Sequence, residues 1–177
     1  MPKTNRAVNF EETILPHLNA AYNLARWLTR DAADAEDVVQ EAYLRAFRFF
    51  DGFHGGDSRA WVLKIVRNTC YSWLQKNRAH EIATEFDEEL HSGEARDAET
   101  VMIGNIDTKM LQSMINELPV EFREIFILRE MEGMSYKEIA AIAELPLGTV
   151  MSRLARARQR LQTGLSNYSS GKKLELS

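Results

Sequence analysis

A chain of 177 residues with 45% apolar and 27% charged side chains has the balance of a globular protein, with material for one domain or two small ones. No run nears the roughly 18 apolar residues of a membrane span, and a single cysteine, Cys70, excludes an internal disulfide framework and a cysteine-rich zinc site. The formal net charge of −4 argues at first sight against a nucleic-acid partner. The N-terminal stretch MPKTNRAVNFEET has no apolar run behind its basic residues, so no secretory signal and a cytoplasmic location are expected.

In chain order, the pattern is helical throughout, with no alternating apolar runs. From Phe10 to about Thr29, one helix is predicted with Ile14, Leu15, Leu18, Tyr22, Ala25 and Leu28 close to one face. Asp31 and Asp34 suit the start of a second helix running to about Phe50. Its inward face is Val38, Val39, Ala42, Tyr43, Ala46, Phe49 and Phe50, leaving Asp37, Gln40, Glu41, Leu44 and Arg48 on the other side. FDGFHGGDS then breaks the chain, and Asp57 or Ser58 caps a third helix, roughly Arg59 to Lys76. Val62, Ile65, Val66, Thr69 and Trp73 share its apolar face, widened by Leu63, Cys70 and Leu74. The opposite stripe holds Lys64, Arg67, Asn68, Tyr71, Gln75 and Arg78. Cations that neutralise phosphates, an amide and a stacking ring suit single-stranded nucleic acid, and a merely solvated polar face fits the same residues.

Residues 79–107 carry nine acids against Arg96 alone, a net of −8, while residues 1–78 and 108–177 are each +2. The middle segment reads as an acidic interdomain linker, with a solvated loop without a partner as the alternative. Beyond it, a short helix spans Thr108–Glu117, Pro119 fits the first turn of another ending near Gly133, and two more short helices follow. The last pair carries the strongest local signal. Ser135 and Glu138 make a capping box, with Ile139, Ala140, Ile142 and Ala143 as the apolar face behind it. Glu144-Leu145-Pro146 supplies the break, and Leu147-Gly148-Thr149 opens a helix with Val150 and Leu154 inward. Helix, tight turn and longer helix form a helix-turn-helix, whose second helix enters the major groove. No acid lies between Glu144 and Glu175, while Arg153, Arg156, Arg158, Arg160, Lys172 and Lys173 are basic. Such arginines suit phosphates and guanine edges, against the plainer reading of a basic helix in an ordinary bundle. The fold class is therefore all-α, with two small helical domains joined by an acidic linker and a helix-turn-helix in the second.

From about Phe10 to Leu161, the arrangement resembles the extracytoplasmic-function group of bacterial RNA polymerase sigma factors. DAEDVVQEAYLRAF is similar to the family's core-polymerase-binding helix, GGDSRAWVLKIVRNT to its promoter-melting helix, and SYKEIAAIAELPLGTVMSRLARAR to its second DNA-binding domain. The resemblance implies sigma region 2 over 1–78, a linker over 79–107 and sigma region 4 over 108–177. It implies that Asp37, Gln40, Glu41, Leu44 and Arg48 dock on the polymerase, at the β′ clamp helices, with the β subunit as a further contact. Asn68 would help capture a flipped base of the −10 element, surrounded by the loop Gly52–Ser58 and by Lys64, Arg67, Tyr71 and Gln75. Thr149, Met151, Ser152, Arg153, Arg156 and Arg158 would meet duplex DNA at the −35 element. The linker would thread towards the polymerase active-site channel, its charge imitating nucleic acid.

Two departures are visible. Many members carry a basic residue where this chain has Met151 and a larger one where it has Ala155, so Met151 offers only apolar contact, as to a thymine methyl. The loop before Trp61 is also shorter than in some relatives. An anti-sigma partner is implied by the family, and neither a cofactor nor membrane insertion is expected. Two rival readings are a stand-alone helix-turn-helix regulator and a sigma mimic that sequesters an anti-sigma factor. Asn68, Arg67 and Tyr71 speak against the mimic. An enzyme fits least, since His17, His54, His80 and His91 lie in different segments without metal-ligand spacing. Cys70 falls on an apolar face, where an inert thiol is expected.

Overall fold

A computed structural model of the chain describes residues 2–85 and 106–175, with side chains over 5–78 and 108–175. The chain divides into two units, Met1–Thr100 and Val101–Ser177. Among the described residues every regular element is helical. The central part of the predicted linker lies outside them.

The first unit has four helices: α1 (Pro2–Ile14), α2 (Leu18–Thr29), α3 (Ala32–Phe49) and α4 (Ser58–Glu85). The single helix expected from Phe10 to Thr29 is two, because Pro16 has no N–H to donate back along the helix. A 3-10 turn, Leu15–His17, takes its place, with Leu18 N–H bonded to Leu15 O. That turn rotates one half against the other. Leu15 and Leu18, expected inward, are each 43% exposed, while Ile14, Ala25 and Leu28 are buried. Arg30, left-handed at φ 63°, ends α2. Asp31 then caps α3, its carboxylate accepting from Asp34 N–H at 3.0 Å.

Val38, Val39, Ala42 and Ala46 of α3 face the core as predicted, but Phe49 is 60% exposed. Phe49 keeps the inward azimuth, yet it sits in the last turn of α3 and stays largely exposed. A second 3-10 turn, Phe50–Gly52, leads into the loop before α4. Gly55 and Gly56 adopt φ near +93° and +94°, a region closed to side chains with a Cβ except under strain. Asp57 is the residue that caps α4, accepting from Ala60 N–H at 3.1 Å. Val62, Leu63, Val66, Thr69 and Cys70 are buried, Cys70 as a free thiol. The helix runs to Glu85, well past the expected Lys76 and into the acidic segment.

The second unit holds α5 (Ile106–Glu117), α6 (Val120–Phe126), α7 (Tyr136–Ala143) and α8 (Leu147–Glu175). Pro119 stands one place earlier than expected, as the cap before α6 in extended conformation (ψ 142°). Beyond α6 the chain widens into a π-helical turn, Ile127–Met131, with Glu132 N–H bonded to Ile127 O. Gly133, at φ 64°, closes it. The capping box at Ser135 and Glu138 forms in both directions. Between α7 and α8 the reversal falls within the expected Glu144-Leu145-Pro146 break, with Glu144 left-handed at φ 56°. The last helix is not short: α8 has 29 residues, and Val150, Leu154, Ala157 and Leu161 bury one stripe of it at i, i+4, i+7 and i+11.

Candidate nucleic-acid and partner interfaces

The first candidate surface is the outer side of α3. Asp37, Gln40, Glu41, Leu44 and Arg48 are all exposed, Leu44 by 64%, and at about 100° per residue they lie within one stripe. A leucine of that exposure amid charges is the pattern of a protein contact with an apolar centre and a polar rim. Glu41 is paired with Arg45 one turn on. The N-terminal end of the helix gathers Asp31, Asp34 and Asp37. Burial, then the neighbouring carboxylates of Asp31 and Asp37, hold the Asp34 carboxyl above its usual range. Next to this stripe an apolar groove of about 640 Å³ opens between α2 and α3, lined by Leu18, Tyr22, Val39 and Tyr43 and edged by Glu36 and Gln40. Burial pushes the Tyr43 hydroxyl up to about 12, and that hydroxyl donates to Ile14 O at 3.3 Å.

The second surface is the stripe of α4 beside the glycine loop. Lys64, Arg67, Asn68 and Tyr71 are half-buried, and Gln75 and Arg78 are exposed. The structure brings three of them into direct contact. Arg67 lies over the Tyr71 ring, 3.9 Å from its centre, and donates to Asn68 Oδ1 at 3.3 Å. Sequence reasoning treats Tyr71 as an open stacking platform. Here one ring face already carries a guanidinium, so a base stacking on that face has to displace Arg67. Because Arg67 can only donate, the same contact fixes the amide of Asn68 with its oxygen inward and its N–H₂ group turned away from Arg67. The start of α4 is further fixed by His17, whose Nε2 lies 2.9 Å from Ser58 Oγ. Burial, then the Arg59 charge, lowers the His17 pKa against a smaller opposing effect of Asp57.

The third surface is the exposed side of the helix-turn-helix. Thr149, Ser152, Arg153 and Arg156 lie along one stripe of α8, with Arg153 and Thr149 half-buried and the others open. Ser152 donates back to Thr149 O at 3.1 Å. Met151 and Arg158 do not join that stripe; they flank the buried face on its other side. Arg158 Nε lies 3.1 Å from Glu130 Oε1, an ion pair that ties α8 to the π-helical turn and raises the Arg158 pKa. Met151 is 50% exposed.

Several residues carry structure that the sequence pattern did not single out. Arg123 is 1% exposed and donates to Leu118 O at 2.7 Å and Asn116 O at 3.0 Å, closing the C-terminal end of α5. Arg129 stacks on Tyr136 and donates to Met134 O at 2.9 Å, bracing the entry to α7. Arg6, in α1, reaches the end of α3. A lone arginine in a polar helix gives no local signal, since its partners are 41 or more residues away. Among the described residues no cluster of three or more His, Cys, Asp or Glu could hold a metal, and no helix is long and apolar enough to cross a membrane.

Comparison with known proteins falls on the same two units. The Sigma-70 region 2 family matches residues 13–80, and the Sigma-70, region 4 family matches residues 108–161. The ECF RNA polymerase sigma factor SigE of Mycolicibacterium smegmatis is 32% identical over 163 residues, which is 92% of this chain but 63% of that protein. The chain thus spans less than two thirds of that relative. The ECF RNA polymerase sigma-E factor of Escherichia coli is 34% identical over 139 residues, 73% of each chain. Among solved structures, the sigma factor RpoE from Bartonella quintana, in complex with the anti-sigma factor NepR, superposes with a TM-score of 0.73 at 33% identity, covering 89% of this chain and 97% of that one. CnrH in complex with the cytosolic domain of CnrY gives 0.63 at 25% identity, covering 89% and 88%.

Proposed function

Because the chain belongs to the ECF family of RNA polymerase sigma factors, we propose that it joins core RNA polymerase in the cytoplasm and starts transcription at promoters with −35 and −10 elements. The observation that carries this reading is the pairing, in one chain, of an acidic docking helix and melting stripe with a basic helix-turn-helix. In this reading residues 1–78 act as region 2, 79–107 as the acidic connection along a basic path of the polymerase, and 108–177 as region 4. The protein contributes binding energy and no catalytic residue of its own.

Asp37, Gln40, Glu41, Leu44 and Arg48 dock on the β′ clamp helices, Leu44 supplying the apolar centre. Melting costs a few kcal/mol per unstacked step. A base accepting hydrogen bonds from the Asn68 amide and stacking on Tyr71 returns roughly 1–3 kcal/mol of that. Lys64, Arg67 and Gln75 hold the flanking single strand. Thr149, Ser152, Arg153 and Arg156 meet the −35 duplex, while Arg158, paired with Glu130, holds α8 in place more than it reads DNA. Met151 gives apolar contact at the groove edge. The structure of the sigma factor RpoE bound to the anti-sigma factor NepR supports a similar inhibitor for this chain.

Run-off transcription with purified core enzyme is the test. A promoter-specific transcript is expected only when this protein is added. Tight core binding without a transcript would reject the initiation role and favour a mimic that sequesters an anti-sigma factor. Asp37→Ala and Gln40→Ala are each expected to weaken core binding by about 1 kcal/mol, several-fold in affinity. Fluorescence anisotropy of labelled protein against core enzyme measures it, and unchanged affinity in both variants would reject this docking face.

A further inference from the structure

The residues before Thr13 fall outside the region 2 match, yet one of them, Arg6, reaches across to the end of α3. Arg6 of α1 donates through Nη2 to Phe47 O at 2.8 Å, a carbonyl that also accepts from Phe50 N–H, and reaches Arg48 O at 3.3 Å, both at the end of α3. Its Nε lies 3.1 Å from Asp51 Oδ1 in the following 3-10 turn, and its guanidinium sits 4.9 Å from the centre of the Phe47 ring. One turn later, Phe10 meets Phe47 edge-on at 5.2 Å and Phe50 at 5.3 Å. Phe50 in turn stacks on Phe53, and both contact Trp61 at the start of α4. Arg6 and Phe10 therefore hold the C-terminal end of the docking helix, the 3-10 turn and the root of the glycine loop in one arrangement. The loop itself holds Gly55 and Gly56 at positive φ, a conformation that needs glycine.

The geometry points to Arg6 as a positioning residue for capture of the −10 base: it fixes where the loop Gly52–Asp57 leaves α3, and so how that loop leads into α4, the helix that carries Asn68. This role rests on the proposed melting function. It touches no DNA and none of the docking residues' side chains.

The test uses full-length protein bound to core polymerase, with a fork-junction DNA whose −10 strand is single-stranded as the probe. Arg6→Ala is expected to lower affinity for the fork by roughly tenfold, the scale of losing charge-assisted hydrogen bonds. Core affinity should stay within about twofold. Arg6→Lys keeps the charge but not the fork geometry, and is expected to recover part of the loss. In hydrogen exchange of the same complex, amides of residues 50–57 should exchange faster in Arg6→Ala, while those of α4 from Val62 to Cys70 should not. Unchanged loop exchange would overturn the brace. A fall in core affinity matching the fall in fork affinity, or faster exchange across α4, would make Arg6 a stabilising residue only and overturn the proposal. Asn68→Ala is the control that separates the two readings: if it leaves fork binding intact, the melting function fails. If Asn68→Ala weakens the fork and Arg6→Ala does not, only the positioning role fails.

Discussion

Arg123→Ala is expected to destabilise the second unit by about 3–4 kcal/mol, the largest loss predicted for any single substitution here. The side chain is buried, and its guanidinium satisfies the carbonyls of Asn116 and Leu118 where α5 ends. Truncation leaves those acceptors without their charged donor and opens a void beneath α6. The two units can be followed separately, because all three tryptophans, Trp27, Trp61 and Trp73, belong to the first. Far-UV circular dichroism in urea should show an early loss of helix in Arg123→Ala, while the tryptophan transition keeps its midpoint. Coincident, unshifted transitions would mean that the carbonyls find other donors.

Asn68→Ala is expected to slow open-complex formation by about 10- to 100-fold, or roughly 1–3 kcal/mol. Core affinity should not change, because Asn68 lies on α4 and away from the α3 stripe. Asn68→Asp sharpens the point. It keeps the oxygen that accepts from Arg67 at 3.3 Å but removes the amide donors. If those donors hold the captured base, the aspartate variant should be as impaired as the alanine one. Reactivity of unpaired thymines to permanganate measures both. A loss of polymerase affinity in place of melting would make Asn68 a structural residue.

How much of this was written in the sequence depends on the range over which each signal acts. The capping box at Ser135 and the buried stripe Val150, Leu154, Ala157 and Leu161 are local, and the pattern finds them directly. The α3 face was equally legible, since one period of 3.6 sorts Val38 and Ala42 from Asp37 and Glu41. Periodicity misled where a helix outran or lost its neighbours. Leu18 shares a face with Ile14 only if Pro16 lets the helix continue, and it does not, while Leu15 stands about 100° round from Ile14. Phe49 has the right azimuth but the wrong height. Contacts between distant segments left no trace in the pattern: Arg6 with Asp51, His17 with Ser58, Arg158 with Glu130. Arg67 was legible as a cation, but not as the group that occupies both Tyr71 and Asn68. For the candidate sites, the sequence therefore sorted the exposed faces, while the contacts within them required three dimensions.

The net charge of −4 hides two mildly basic segments, residues 1–78 and 108–177, behind the acidic stretch between them. The helix that carries the basic face of the second unit has its own mechanical meaning. With 29 residues, α8 is about 44 Å long. Its last buried side chain is Leu161, and Met114 of α5 packs against Gly164 just beyond, where a Cβ would come within 3.2 Å of the sulfur. The remaining residues to Glu175 continue the same rod into solvent, roughly 16 Å past that point. One continuous helix has no loop in which to absorb a tilt. A force applied at the Lys172–Lys173 end therefore acts on Thr149 and Arg153 through the whole length of α8.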